Sequence, residues 1–161
     1  MNLLSLELLH ELNSNSNEMK PDNKSIVKNY IEKVVNTGDI EIITQFISSD
    51  YVEIYNSKRY VIGINGAKEH IKGVRNTYPD LELSIDNQIA EGEWVATCYT
   101  MRGTHTGLWM GIKPTGKRIE VTGVNIDRII DNKIVEHGGA ANMFDALLEI
   151  GAIKTVSETK E

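Results

Sequence analysis

Hydrophobic residues in the first half of the chain recur at the spacing of amphipathic helices. The first predicted helix begins after Asp22, a candidate N-cap, and ends at Gly38. Its apolar stripe comprises Ile26, Val27, Tyr30, Ile31, Val34 and Val35. A second, short helix is predicted from Asp39, with a stripe of Ile42, Ile43, Phe46 and Ile47. A third is predicted from Asn65-Gly66 to Tyr78.

The pattern then changes to the shorter period of strands. A short strand-like run at residues 51–55 precedes the third helix. After that helix, four longer strands are predicted at 81–90, 93–101, 118–130 and 133–141. Tight turns at Glu91-Gly92 and Asp131-Asn132 separate two pairs of them, and a last helix is predicted at about 142–150. Helices followed by an antiparallel meander indicate an α+β domain rather than a parallel α/β one.

Alternation along residues 118–130 puts Asn125 and Asp127 on one face of a strand and Ile126 on the other. The next strand carries Glu136 and His137 on opposite faces, and the register decides which of them reaches the polar pair. A carboxylate, an amide and an imidazole suit acid–base work on a carbonyl compound. A solvated sheet face stays open as the plain alternative, because charged strand residues usually face water.

The segment between the second and third long strands, residues 102–117, is too long for a simple hairpin turn. It carries His105 at its start, and Gly107 and Gly111 flank Trp109 and Met110. Bulky apolar groups on a glycine-flanked loop predict a lid over a binding site, with ordinary surface exposure as the alternative for Trp109.

Composition excludes several function classes. The 161 residues include 17 basic and 23 acidic ones without a basic cluster, so nucleic acid is not an expected partner. Cys98, the only cysteine, cannot form an internal disulfide, and no metal-type Cys/His spacing occurs. We therefore expect neither a metal nor a cofactor.

The N-terminal residues carry a short apolar run that Glu7 interrupts, without the basic start of a signal peptide. A cytoplasmic protein that does not enter a membrane is the resulting expectation. Residues 1–20 are interpreted as an extension, helical or disordered, because an Asn/Ser-rich stretch follows at 13–17. The domain itself is placed at 21–154, followed by a tail at 155–161.

Residues 102–123, RGTHTGLWMGIKPTGKRIEVTG, resemble the SnoaL-like polyketide cyclase (ester cyclase) family, whose pattern is close to RGTHxGxxMGIPPTGKxVxxxG. The segments GINGA at 63–67, YPDL at 78–81, AEGEWVA at 90–96 and DNKIVEH at 131–137 extend the likeness over roughly 24–153. The resemblance implies an NTF2-like cone, in which a curved antiparallel sheet wraps around N-terminal helices and leaves a pocket at the open end. It also implies that Asn125 and Asp127 face this pocket.

One departure from the family pattern concerns its catalytic aspartate, which stands in a Glu-x-Trp-x-x-x-Asp motif. The matching positions here begin at Glu136, with Gly138 for the tryptophan and Asn142 for the aspartate. An amide can polarise a carbonyl oxygen but cannot exchange a proton near neutral pH. The loss of the tryptophan at Gly138 is expected to enlarge the pocket wall or to remove a lid contact.

Three functions follow from these observations. The first is a cofactor-free cyclase or isomerase for a small apolar carbonyl compound, with Asp127 as the base, His137 or His105 as the acid, and Asn142 at the family's catalytic position. Its substrate-binding candidates are Asn125, His105, Trp109, Met110, Tyr30 and Tyr51, the two tyrosines having core packing as the alternative. The second is a non-catalytic small-molecule-binding protein, which the amide at Asn142 favours. The third is an assembly module that uses the outer face of the sheet, since related cone folds often form homodimers or higher homo-oligomers there.

Overall fold

The computed structural model describes residues 22–156. The predicted extension at 1–20, and the tail from residue 157 onward, lie outside the described residues. Among the described residues, no helix has the length and apolar character needed to cross a bilayer.

The first helix, α1, spans Asn23–Tyr30 and continues as a π-helical segment, Ile31–Val35. Asp22 caps its start, where the Ser25 backbone N–H donates to the Asp22 carboxylate over 2.9 Å. The chain leaves the helix at Gly38, whose φ of +77° favours a residue without a Cβ. The predicted start and end are thus confirmed.

The predicted second helix is wrong. Only a 3-10 turn forms, at Ile43–Gln45, and strand β1 follows at Ile47–Tyr55. Tertiary pairing takes the segment away from helix, because the Ile134 N–H donates to the carbonyl of Phe46 over 2.7 Å. A strand that the hydrophobic pattern did not predict, β2 at Lys58–Val61, pairs with β1 through a two-residue turn. All four of its residues are exposed, so no apolar alternation marks it.

The remaining elements follow the predicted order. They are helix α2 at Gly63–Thr77, strands β3 at Glu82–Glu91, β4 at Trp94–Thr104, β5 at Arg118–Ile130 and β6 at Lys133–Asn142, and helix α3 at Phe144–Glu149. A long loop connects β4 to β5.

The six strands form one sheet in the order β2-β1-β6-β5-β4-β3. All neighbours are antiparallel except β1 and β6, which run parallel. Register shifts in β3, in β1 and between β5 and β6 bend the sheet. Helices α1 and α2 pack into its concave face through a core that includes Val27, Val34, Ile71, Val95 and Ile129. The fold is the predicted α+β, NTF2-like cone.

Candidate active site

A cavity of about 200 Å³ lies between the two long helices and the concave face of the sheet. Its apolar wall comes largely from the helices, with Ile31 of the π-helical segment and Ala67, Ile71 and Val74 of α2. Its polar groups come mainly from the sheet. A π-helical segment in a cavity wall is notable, because such segments occur frequently at functional sites.

Asp127 and His137 form a hydrogen-bonded pair in the sheet wall of this cavity. They are directly opposed in the β5–β6 register, and Oδ1 of Asp127 lies 2.8 Å from Nδ1 of His137. Asp127 is only 3% exposed, and Asn125, two residues earlier, lines the same cavity. Ile126 lies on the opposite face and is 39% exposed, as alternation along β5 predicts. The register therefore selects His137, not Glu136, as the partner of Asp127.

The surroundings of His137 favour its charged form. Burial opposes protonation of the imidazole, but the hydrogen bond and charge of Asp127, helped by the charge of Glu53, outweigh it and raise the pKa of His137. Because the Nδ1 atom faces Asp127, Nε2 is the ring nitrogen left for a ligand. The pair therefore offers a buried carboxylate and an imidazolium N–H side by side.

Tyr30 and Tyr51 line the same cavity. Burial is the main cause that raises the pKa of Tyr30, and the charges of Asp127 and Glu53 add to it. The pKa of Tyr51 is also raised, again mainly by burial. Both hydroxyl groups therefore keep their protons. The Tyr30 hydroxyl can donate a hydrogen bond to an oxygen atom of a ligand, whereas the Tyr51 hydroxyl is engaged with the Glu53 carboxylate.

A second carboxylate–imidazole pair, Glu53 and His70, lines the cavity and was not among the predicted residues. Nδ1 of His70 lies 2.5 Å from Oε1 of Glu53. Burial raises the pKa of Glu53, but the hydrogen bond and charge of His70 prevail and lower it. The sequence pattern indicates the position of both residues. Glu53 shares a face of β1 with Tyr51, and His70 lies one turn from Ala67 and Val74 on the same side of α2.

His105 lies away from the cavity, contrary to the expectation that it joins the site. It is fully buried in the β4–β5 loop, where its Nδ1 atom is 3.1 Å from Oγ1 of Thr115. Its ring packs beside those of Tyr78 and Trp109. The backbone of His105 also holds the loop, because its N–H donates to the Lys117 carbonyl and its carbonyl accepts from the N–H groups of Thr115 and Gly116.

The expected lid does not cover the cavity either. Trp109 packs with a second apolar cluster, which contains Tyr78, Leu81, Ile119, Val121, Ala146 and Ile150. The Thr77 carbonyl accepts from the backbone N–H groups of Thr106 and Gly107, and this ties the loop to the end of α2. Met110 points into solvent with 84% exposure. Neither side chain lines the cavity.

Asn142 and Gly138 also lie off the cavity wall. Asn142 pairs with Thr122 at the end of β6, and its Oδ1 atom accepts from the Phe144 N–H at the start of α3 over 3.3 Å. Gly138 pairs with Ile126 on the convex side, where an added Cβ would meet Ile54 at 3.1 Å. Alternation from His137 puts both residues on the face that the cavity does not use. The expected enlargement of the pocket at Gly138 is therefore wrong.

Within residues 22–156, no three side chains of the His, Cys, Asp and Glu types are grouped as ligands for a metal ion.

Comparisons with known proteins agree with this architecture. The profile of the family described as SnoaL-like polyketide cyclase matches residues 25–150. Nogalonic acid methyl ester cyclase from Streptomyces nogalater is 26% identical over 118 residues, which cover 72% of this chain and 88% of that protein.

Two solved structures give the same result for the fold. AclR from Streptomyces galilaeus, a candidate hydroxylase, superposes with a TM-score of 0.73 at 28% identity, covering 84% of this chain and 85% of its own. IdmH from Streptomyces antibioticus, a candidate polyketide cyclase, gives 0.70 at 25% identity, covering 81% and 99%. Because the profile spans residues 25–150, which is most of the chain, the chain belongs to the SnoaL-like polyketide cyclase family.

Proposed function

We propose that the protein is a cyclase or isomerase that acts without a cofactor on a small, mostly apolar carbonyl compound. The observation that carries this proposal is the buried Asp127–His137 pair in a cavity whose other walls are largely apolar. A carboxylate can take a proton from the carbon next to a carbonyl group. An imidazolium can give a proton to the carbonyl oxygen.

The atoms of an intramolecular aldol reaction can be assigned to this pair. Oδ2 of Asp127, which the hydrogen bond leaves free, accepts the proton of the carbon next to one carbonyl group. The resulting enolate carbon forms the new C–C bond to the second carbonyl carbon. Nε2 of His137 then donates its proton to the oxygen of that second carbonyl, so that no charge is left on the product. An isomerase would use the same two transfers and return the proton to a different atom.

Three hydrogen-bonding groups accompany the pair. The Tyr30 hydroxyl keeps its proton and is suited to stabilise an enolate oxygen, and the Tyr51 hydroxyl, which is engaged with Glu53, can accept a hydrogen bond from a ligand. Asn125, on the same face as Asp127, offers both a donor and an acceptor. These residues fit a ligand with one or two carbonyl groups.

The size of the cavity restricts the substrate class. A volume of about 200 Å³ lies below the roughly 300–1,000 Å³ that is typical of pockets for drug-sized ligands. We therefore expect either a compound smaller than a multi-ring polyketide or one that leaves part of its body outside the cavity.

Family relatives support a cyclase but leave the reaction open. One relative is named for a cyclase reaction on nogalonic acid methyl ester, whereas a structural neighbour of similar identity is a candidate hydroxylase. One fold can host several chemistries, so residues of the site must decide between them.

A non-catalytic binding protein is the second candidate. The amide at the family's catalytic position favours this candidate, but Asn142 lies off the cavity wall, where its Oδ1 atom accepts from the Phe144 N–H. The amide at Asn142 is therefore not an argument against catalysis in the cavity of this chain.

The proposal is tested by deuterium exchange at the carbon next to the carbonyl group in small cyclic ketones and β-diketones, followed by NMR in D2O. Proton abstraction is detected even when no ring closes. We expect the wild type to accelerate exchange, and Asp127→Asn to reduce the acceleration by about 10²–10⁴-fold, the usual contribution of an acid–base group.

Asp131→Asn is the matched control, because it makes the same change in an exposed turn. Ligand-induced thermal stabilisation without any accelerated exchange would support the binding protein instead.

A further inference from the structure

The two carboxylate–imidazole pairs of the cavity form one continuous row. Asp127 on β5 is opposed to His137 on β6, and His137 is in register with Glu53 on the parallel neighbour β1. His70 of α2 extends the row beyond Glu53. The order is carboxylate, imidazole, carboxylate, imidazole, and all four residues line the same cavity.

The two ends of this row differ in exposure. The side chain of Asp127 is 5% exposed, those of His137 and Glu53 are 27% and 24% exposed, and that of His70 is 46% exposed. The row therefore starts at a buried carboxylate and ends at an imidazole that water reaches. Glu53 is the second negative charge next to His137, on the side away from Asp127.

We propose that Glu53, held by His70, is a positioning residue of the active site that keeps the His137 imidazole charged for its role as proton donor. This rests on the proposed function for the donor role, but the electrostatic coupling itself needs no substrate. Neighbouring strands lie about 4.8 Å apart, so a carboxylate in register acts on an imidazole at short range without a direct hydrogen bond.

Charges in the cavity agree with this coupling. Burial alone would lower the pKa of His137, but the combined effect of Asp127 and Glu53 raises it. In return, the charge of His137 is one of the causes that lower the pKa of Glu53 against the effect of burial. Each group thus favours the charged form of the other.

The other titratable groups that face His137 do not offer the same support. Tyr30 of α1, Tyr51 of β1 and Tyr99 of β4 have pKa values raised chiefly by burial, so they stay neutral. The guanidinium of Arg75 on α2 donates to the carbonyls of Val35, Asn36, Pro79 and Leu81. Glu53 and Asp127 are therefore the negative charges that bear on this imidazole from the cavity walls.

Another explanation of the Glu53–His70 contact is purely structural, since it ties α2 to β1. A tie of this kind would affect stability when broken, but it would leave the protonation of His137 unchanged. The titration midpoint of His137 therefore separates the two explanations.

The experiment is an NMR titration of the imidazole resonances in the full chain, which has four histidines. We expect Glu53→Gln to lower the His137 midpoint by about one pH unit, as expected for the loss of an opposite charge within about 4–6 Å. Glu53→Asp restores most of the shift, because it restores the charge. His70→Gln keeps a donor for Glu53 but removes the imidazole, and it leaves the His137 midpoint raised.

Glu69→Gln is the matched control. It removes the same charge next to His70 in sequence, from a side chain paired with Lys72 at the surface. An equal His137 midpoint in Glu53→Gln and Glu69→Gln would overturn the proposal. If Glu53→Gln lowers the midpoint while the wild type shows no accelerated exchange on any carbonyl compound, the coupling stands and the proposed reaction fails.

Discussion

Asp127 and His137 occupy opposed positions on β5 and β6, and their side chains meet over 2.8 Å on the concave face of the sheet. The strands fix this geometry before any ligand arrives. Because a sheet holds its side chains more precisely than a loop does, the pair is preorganised for proton transfer. The first prediction concerns the effect of this pair on stability.

Stability should depend on pH through His137 and Glu53. The folded pKa of His137 is raised above its ordinary 6.5, so its contribution is fully present below pH 6.5 and is lost as the pH rises through the folded pKa. The folded pKa of Glu53 is lowered from 4.5, so its contribution is present above pH 4.5 and is lost as the pH falls through the folded pKa. Both are present between these two values.

Urea denaturation of the wild type and His137→Gln, from pH 4.5 to well above pH 6.5, checks the prediction. The free-energy difference between the two proteins should shrink as the pH rises above 6.5. A difference that grows toward alkaline pH would contradict it.

The second prediction concerns Trp109. Because this side chain packs in the second apolar cluster, Trp109→Ala should destabilise the domain by about 2–3 kcal/mol, somewhat less than a fully buried tryptophan would. Met110→Ala, in the same loop, should change stability by no more than about 0.5 kcal/mol, since Met110 is exposed. Thermal and urea denaturation measure both effects.

Trp109 should also be insensitive to ligands. In a Trp94→Phe background its fluorescence reports on this loop alone, because the chain has two tryptophans. We expect no change on addition of small ketones that stabilise the protein. A shift of the emission maximum on ligand addition would contradict this and would indicate that Trp109 belongs to a lid.

The third prediction concerns Asn142. Because its side chain lies off the cavity wall, Asn142→Asp should leave any exchange activity unchanged. A negative charge near a helix start is favourable, so stability should stay equal or rise by a few tenths of a kcal/mol. Because Asn142 is exposed, Asn142→Ala should change stability by no more than about 0.5 kcal/mol. An activity gain of tenfold or more in Asn142→Asp would contradict the prediction and show that this position contributes to catalysis.

The fourth prediction concerns association. Two rows of small and apolar residues lie on the convex face of β4, β5 and β6, namely Ala96, Ile126 and Gly138, and Cys98, Val124 and Ala140. Val124 and Ile126 are exposed in the single chain, and we propose that this face forms a homodimer. Ile126→Glu should then shift the protein from dimer to monomer in analytical ultracentrifugation.

Leu108→Glu is the control for that experiment, because Leu108 is an equally apolar exposed residue in the β4–β5 loop. A wild type that sediments as a monomer at all concentrations would contradict the proposed dimer.

Period-two alternation was enough to predict that Asn125 and Asp127 share a face, because side chains of a strand alternate strictly. It could not choose between Glu136 and His137, since the choice depends on register. In the folded chain Glu136 lies on the other face, where Arg59 pairs with it.

Other features needed tertiary information. The segment that contains Ile43 and Phe46 has an apolar stripe at helical spacing. It nevertheless forms a 3-10 turn followed by a strand, because its backbone pairs with β6. The loop residues His105 and Trp109 looked like a lid because chain order does not tell which apolar cluster a loop meets. The sequence does not predict the Glu53–His70 pair, because the two residues lie on different elements and meet only when α2 packs on β1.

The division of the cavity between sheet and helices has a consequence for how new activities could arise. Asp127, His137 and Glu53 sit on strands, whereas Ile31, Ala67, Ile71 and Val74 supply the apolar wall from the helical side. Substitutions in the helices can therefore change the shape that a ligand must have while the proton-transferring groups keep their positions. Substrate range and reaction chemistry can then diverge independently, and a library randomised at the helical positions would explore new substrates on an unchanged acid–base centre.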